Sequence, residues 1–148
     1  MVSRHDLSHA FGIKGRDFGK AGCVSIEIKE ILRDLGIDPA IVRRAAIAAY
    51  EAEMNVVMYA EKGKMALRLN TEELRITIED EGPGIEDIEL AMQEGYSTAT
   101  EEIREMGFGA GMGLPNIKKN ADVFELKSTV GKGTSYEIVI YLNPTGKK

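Results

Sequence analysis

Two stretches of the chain alternate apolar and polar residues with a period of two, and each is broken once by a short turn. In the first, Met65, Leu67 and Leu69 alternate through residues 64–70 and Leu74, Ile76 and Ile78 through residues 73–80. In the second, residues 123–130 and 135–142 do the same on either side of Gly131 and Gly133. A strand of period two exposes one face and buries the other, so two such pairs predict two hairpins in a sheet with one wet face. A weaker alternation over residues 3–11 adds an edge strand, followed by a loop marked by Gly12, Gly15 and Gly19.

That sheet needs a cover for its apolar face, and the remaining segments supply helices. Between residues 20 and 35, Cys23, Val24, Ile28, Ile31, Leu32 and Leu35 recur at spacings that suit one helical face, and Gly36 supplies the stop. Asp38 followed by Pro39 is a strong helix start, opening an Ala-rich helix that runs to about Ala60, with Gly63 just beyond. Pro115 opens a third helix to about Ala121. Between them, residues 81–113 hold seven glycines and Pro83, with an acidic helical stretch near residues 86–94. These elements predict an α/β two-layer sandwich: a mixed, mostly antiparallel sheet of about five strands with three helices on one face.

With 148 residues and no internal repeat, a single domain spanning residues 1–148 is expected, its tail 143–148 frayed. The net charge of −5 argues against a nucleic-acid footprint, so an anionic ligand must be held locally. Cys23 is the only cysteine, which excludes an internal disulfide and a Cys-based zinc site; it reads as a small buried hydrophobe in a reducing compartment. No apolar run is long enough for a membrane span, and residues 1–11 lack a signal peptide's apolar stretch, so a soluble cytoplasmic protein is expected.

Three groups of residues point to chemistry. Glu51 and Asn55 lie one helical turn apart, on an arc that also carries Ile47, Ala48, Met54 and Met58. Alone they could be structural polar residues on an amphipathic helix. Asp80-Glu81-Gly82-Pro83-Gly84-Ile85 ends a strand: its glycines permit close approach of a ligand, and the Asp80 carboxylate can accept from an exocyclic amine, which adenine presents and guanine does not. Alone it is equally an ordinary Gly-Pro-Gly turn. The run from Gly107 to Leu114 leads directly into the Pro115 helix, where glycine amides and a helix N-terminus suit a phosphate chain. Its spacing matches neither the dinucleotide fingerprint nor the P-loop.

In order and spacing these groups resemble the gyrase, Hsp90, histidine-kinase and MutL (GHKL) superfamily of ATP-binding domains. The first box resembles Glu51-x-x-x-Asn55, the second Asp80-x-Gly82-x-Gly84, the third Gly111-x-Gly113-Leu114, and a closing pair Gly133-Thr134, over roughly residues 20–142. The short length and the runs Asp80 to Ser97 and Gly109 to Ile117 are similar to the small bacterial anti-sigma and switch serine/threonine kinases. The resemblance implies ATP and Mg²⁺ as cofactors and phosphoryl transfer to a STAS-domain antagonist, with a sigma factor, a PP2C-type phosphatase or a second copy of the chain as further partners. Glu51 would be the general base, Asn55 the magnesium ligand, and Asp80 the adenine reader with Thr134 bridging through water. Gly82, Gly84 and Ile85 would shape the adenine pocket, while Gly109, Gly111, Met112, Gly113 and Leu114 would hold phosphates under a lid spanning about residues 86–110.

The sequence departs from that pattern at Tyr59, where many relatives have histidine, and at Ala110, where some carry a polar or basic pair; Arg104 is a candidate replacement cation. The alternative function is an ATP-binding module that sequesters a sigma factor or activates a phosphatase without useful transfer. Other motifs carry less. His5-Asp6-Leu7-Ser8-His9 imitates a zinc-protease motif off any helix, and Asp17-Phe18-Gly19 copies a kinase tripeptide with no catalytic loop to match. Glu101, Glu102 and Glu105 read as a solvated face, and Met54, Met58 and Met65 as core filling.

Overall fold

The computed structural model describes residues 7–94 and 113–142. Its elements run in the order β1 (Leu7–Lys14), α1 (Cys23–Asp34), α2 (Pro39–Tyr59), β2 (Lys62–Leu69), β3 (Glu73–Glu81), the short α3 (Ile88–Ala91), α4 (Gly113–Asn120), β4 (Val123–Thr129) and β5 (Gly133–Tyr141). The strands form one five-stranded sheet in the order β1-β2-β3-β5-β4. Where some mixed pairing was expected, all four pairings are antiparallel.

The period of two places the core where the sequence predicts it. Met65, Leu67, Leu69, Leu74, Ile76, Ile78, Tyr136, Ile138 and Ile140 are buried on one face, with α2 packed across them. Register aligns this face strand by strand: Met65 pairs with Ile78, Leu67 with Ile76, and Ile78 in turn with Tyr136. On the opposite face Arg75 lies between Glu73 and Glu137, and the three form an ion-paired group in the open. The helices α1 and α4 flank α2 on the buried side.

Local signals hold α2 in place at both ends. Asp38 Oδ1 accepts from the Ala40 amide at 2.8 Å, and Pro39 occupies the first turn, as its fixed φ favours. At the far end the chain leaves through Ala60 directly into β2, and Gly63 is a strand residue opposite Asp80. Met54, Met58 and Met65 are buried, as core filling requires.

Several boundaries differ from expectation, each for a tertiary reason. The edge strand continues through Gly12 to Lys14, because Phe11 and Ile13 pair opposite Met65 and Gly63. The helix expected from residue 20 starts at Cys23, after a 3₁₀ turn at Phe18–Lys20, since Gly22 is the N-cap. Cys23 is exposed rather than buried: it stands at the helix start, and Ser25, Ile28 and Leu32 take the buried positions instead. The last helix starts at Gly113, two residues before Pro115, which the first turn tolerates because its amides have no intrahelical partner. Gly133 belongs to β5 rather than to the turn.

Candidate functional site

The helix α2 carries Glu51 and Asn55 toward α4 and β5. Both are half-buried. Glu51 Oε2 accepts from Asn116 Nδ2 at 3.0 Å, a bond from α4 to α2. Burial lifts the Glu51 carboxyl above its ordinary value, and the bond from Asn116 offsets part of that rise. Asn55 Nδ2 donates to the Tyr136 hydroxyl at 3.1 Å, a bond from α2 to β5.

Gly113, the first residue of α4, sits over both side chains. A Cβ placed there would lie 3.2 Å from Asn55 Oδ1 and 3.7 Å from Glu51 Oε1. A side chain there would crowd the amide oxygen, so glycine at this position lets the start of α4 approach Asn55 and Glu51 closely. Leu114 turns inward and is buried in the core, which anchors that turn of α4.

Asp80 is reached from the same two elements by way of β5. Thr134 and Tyr136 are two residues apart on the buried face of β5, and the Thr134 amide donates to Asp80 Oδ1 at 2.9 Å. No described residue donates to Asp80 Oδ2, which leaves it able to accept from an incoming amine. Desolvation raises the Asp80 carboxyl, and the Thr134 amide lowers it in part. Asn55 and Asp80, separated by a whole hairpin in sequence, are thus both held by β5, one through the Tyr136 hydroxyl and the other through the Thr134 amide.

The turn after Asp80 is locked onto the β4–β5 hairpin. Gly82 donates to the Lys132 carbonyl at 3.1 Å, and Gly131 donates to the Pro83 carbonyl at 2.8 Å. Gly84 has a φ of 77°, and a Cβ there would fall 2.5 Å from the Thr129 carbonyl oxygen, so only glycine fits. At Gly82 a Cβ would meet Ala60 at 3.0 Å. Gly84 is thus required by the protein's own backbone, and Gly82 is closely packed against Ala60, whatever a ligand adds. Ile85 donates its amide to Ser128 Oγ at 2.7 Å and packs against the core.

Three side chains that the sequence reading missed organise the site, and a fourth, Glu53, holds the start of α1. Asn116 and Tyr136 hold Glu51 and Asn55, as described. Ser128 joins the turn to the Gly133-Thr134 pair, lying 2.9 Å from Thr134 Oγ1 and bonded to the Gly133 carbonyl at 3.2 Å. Glu53 is 2% exposed and accepts from the amides of Gly22, Val24 and Ser25, so it caps α1 from within α2. None carries a local sequence signal, since each bond spans strands or helices. Gly109, Gly111 and Met112 of the expected phosphate loop, together with Arg104, Ala110 and the Glu101, Glu102 and Glu105 cluster, lie outside the described residues.

This geometry can be set against known proteins. The family described as "Histidine kinase-, DNA gyrase B-, and HSP90-like ATPase" matches residues 40–144. The chain is 32% identical over 118 residues to the serine/threonine-protein kinase RsbT of Bacillus subtilis (strain 168), covering 77% of this chain and 83% of RsbT. It is 39% identical over 113 residues to the anti-sigma F factor of Caldanaerobacter subterraneus subsp. tengcongensis, covering 72% of this chain and 76% of that protein. Among solved structures, the SiaB-SiaC complex of Pseudomonas aeruginosa aligns at a TM-score of 0.60 with 14% identity, covering 93% of this chain and 90% of that one, which is a likeness of fold. The mycobacterial sensor histidine kinase MprB aligns at a TM-score of 0.53 with 16% identity, covering 90% of this chain and 97% of that one. The family match and the relatives agree on one placement: the chain belongs to the histidine kinase-, gyrase B- and HSP90-like ATPase family, in its branch of anti-sigma regulatory serine/threonine kinases.

Proposed function

We propose that the protein transfers the γ-phosphoryl group of ATP to a serine or threonine hydroxyl on a small STAS-domain antagonist, as one step of bacterial partner switching in the cytoplasm. One observation carries this reading: Glu51 Oε1 and Asn55 Oδ1 lie side by side beneath Gly113, at the start of the helix that follows the glycine-rich run. An acid and a neutral amide oxygen at a helix N-terminus can serve a phosphate chain, one as base and one as metal ligand.

The residues fit a magnesium ion that arrives on the nucleotide. Asn55 supplies a single neutral oxygen, and among the described residues no group of three or more acids, histidines or cysteines forms a dedicated metal cage. Such a sparse donor set suits an ion that retains waters and phosphate oxygens as its other ligands. When bound, it would neutralise charge on the phosphates; Asn55 would hold it.

The remaining roles belong to the chain. Asp80 Oδ2 accepts the exocyclic amine of adenine, and Thr134, held by Asp80 and Ser128, bridges through water. Gly82, Gly84 and Ile85 shape the wall of the adenine pocket. Gly109, Gly111, Met112, Gly113 and Leu114 offer amides to the phosphates. Glu51 takes the proton of the acceptor hydroxyl, and its raised proton affinity brings it nearer the range where a base works at neutral pH. Positioning and electrostatics supply most of what phosphoryl transfer asks of a protein, so this small set suffices.

Transfer of radiolabel from ATP to candidate STAS-domain proteins, compared between wild type and Glu51→Ala, tests the reading. The wild type should label an acceptor, and the variant should lose about 100-fold or more in rate while binding ATP within a few fold. ATP binding without transfer by the wild type to any of these acceptors would replace the kinase reading with that of a regulatory module acting on a sigma factor or a phosphatase.

A further inference from the structure

We propose that Tyr136 is a positioning residue for the metal: its hydroxyl holds the Asn55 amide in the orientation that turns Oδ1 toward the phosphate side of the site. This rests on the assignment of Asn55 as the magnesium ligand and adds the device that makes it one.

An asparagine amide can rotate by half a turn and exchange its oxygen for its nitrogen, and only one orientation can ligate a cation. In this structure Nδ2 points to the Tyr136 hydroxyl at 3.1 Å, while Oδ1 is the atom nearer to Gly113. The phenol itself has little freedom. Tyr136 is 5% exposed, and its ring meets Phe124 edge to face, with centroids 6.0 Å apart and planes at 82°. In this bond Asn55 Nδ2 donates and the hydroxyl oxygen accepts, which leaves Oδ1 as the atom turned toward Gly113. Tyr136 therefore holds the amide assigned to magnesium from a fixed ring on β5.

The test separates binding of ATP from the added benefit of magnesium. ATP affinity is measured by calorimetry in EDTA and again with excess Mg²⁺, for wild type, Tyr136→Phe, Asn55→Ala and the double variant. In wild type Mg²⁺ tightens ATP binding. In Tyr136→Phe that tightening should shrink about three- to tenfold, the span of one neutral hydrogen bond, while affinity in EDTA stays within about twofold. In the Asn55→Ala background the same change should have no further effect on the magnesium benefit. An unchanged magnesium benefit in Tyr136→Phe, or an equal loss with and without metal, would overturn the proposal. A complete lack of ATP binding by the wild type would instead sink the kinase reading. Hydrogen exchange in the unsubstituted protein provides a reading free of both folding and ligand: the Asn55 side-chain amide should exchange about tenfold or more slowly than that of exposed Asn70. Equal exchange at the two sites means that the hydroxyl does not hold the amide.

Discussion

At the scale of single residues, the site carries two carboxylates that folding leaves in an uncomfortable state. Desolvation raises the proton affinity of both Glu51 and Asp80. A group whose folded-state pKa lies above its unfolded one stabilises the fold at pH below the unfolded value, and that stabilisation is lost as pH rises through the folded value. At neutral pH an ionised Asp80 is therefore a cost to the ligand-free protein. Asparagine has the same shape and can still accept from the Thr134 amide. Asp80→Asn should consequently melt at or above the wild-type temperature at pH 7, with its advantage vanishing as pH falls through the raised carboxyl value. The same variant should bind ATP about tenfold or more weakly, because the bond from the exocyclic amine loses its charged acceptor. Thermal melts across pH, together with ATP titrations, check both halves. A variant that is both less stable and unimpaired in binding would remove Asp80 from the site.

Between elements, one buried polar tie is announced by no local pattern. Glu53 faces the start of α1, where three amides converge on its two oxygens at 2.9–3.2 Å. These donors belong to the first turn of a helix, which has no internal partners for them, so the carboxylate satisfies groups that burial would otherwise leave orphaned. Glu53→Ala should destabilise the fold by about 3 kcal/mol, and Glu53→Gln should recover part of that loss. Urea unfolding with an unchanged m-value is the measurement, and a loss below about 0.5 kcal/mol would show that α1 is held by apolar packing alone. Alternation over residues 64–70 and 73–80 and the Asp38-Pro39 start are legible because each depends on neighbours within a few positions. The bonds of Asn116, Tyr136 and Glu53 span 65, 81 and 31 positions respectively, so pattern reading has nothing to act on. Tyr136 was legible as an apolar position in a strand; that its hydroxyl meets Asn55 was not.

For the molecule as a whole, the nucleotide should act as a stabiliser of the entire fold. The assigned contacts come from α2, β3, β5 and α4, and these elements together span most of the core. A ligand that binds only the folded state stabilises it by mass action, about 2.7 kcal/mol at a hundred times its Kd. For a chain of 148 residues that corresponds to about 5–10 °C in Tm with saturating Mg-ATP. A melt that does not move with Mg-ATP, alongside a shift with an unrelated nucleotide, would point to another ligand. Among the described residues no helix is long and apolar enough to cross a membrane.

The amino-acid order by itself determined the strand faces, the start of α2, the sharp turn after Asp80 and the spacing of the boxes, because all of these follow from periodicity and backbone preference over short spans. Only the tertiary structure decided where Cys23 faces, where α1 and α4 begin, and which side chains hold Glu51 and Asn55. Those outcomes depend on which surfaces meet once the hairpins and helices pack, and burial, register and long-range hydrogen bonds exist only after that packing has formed.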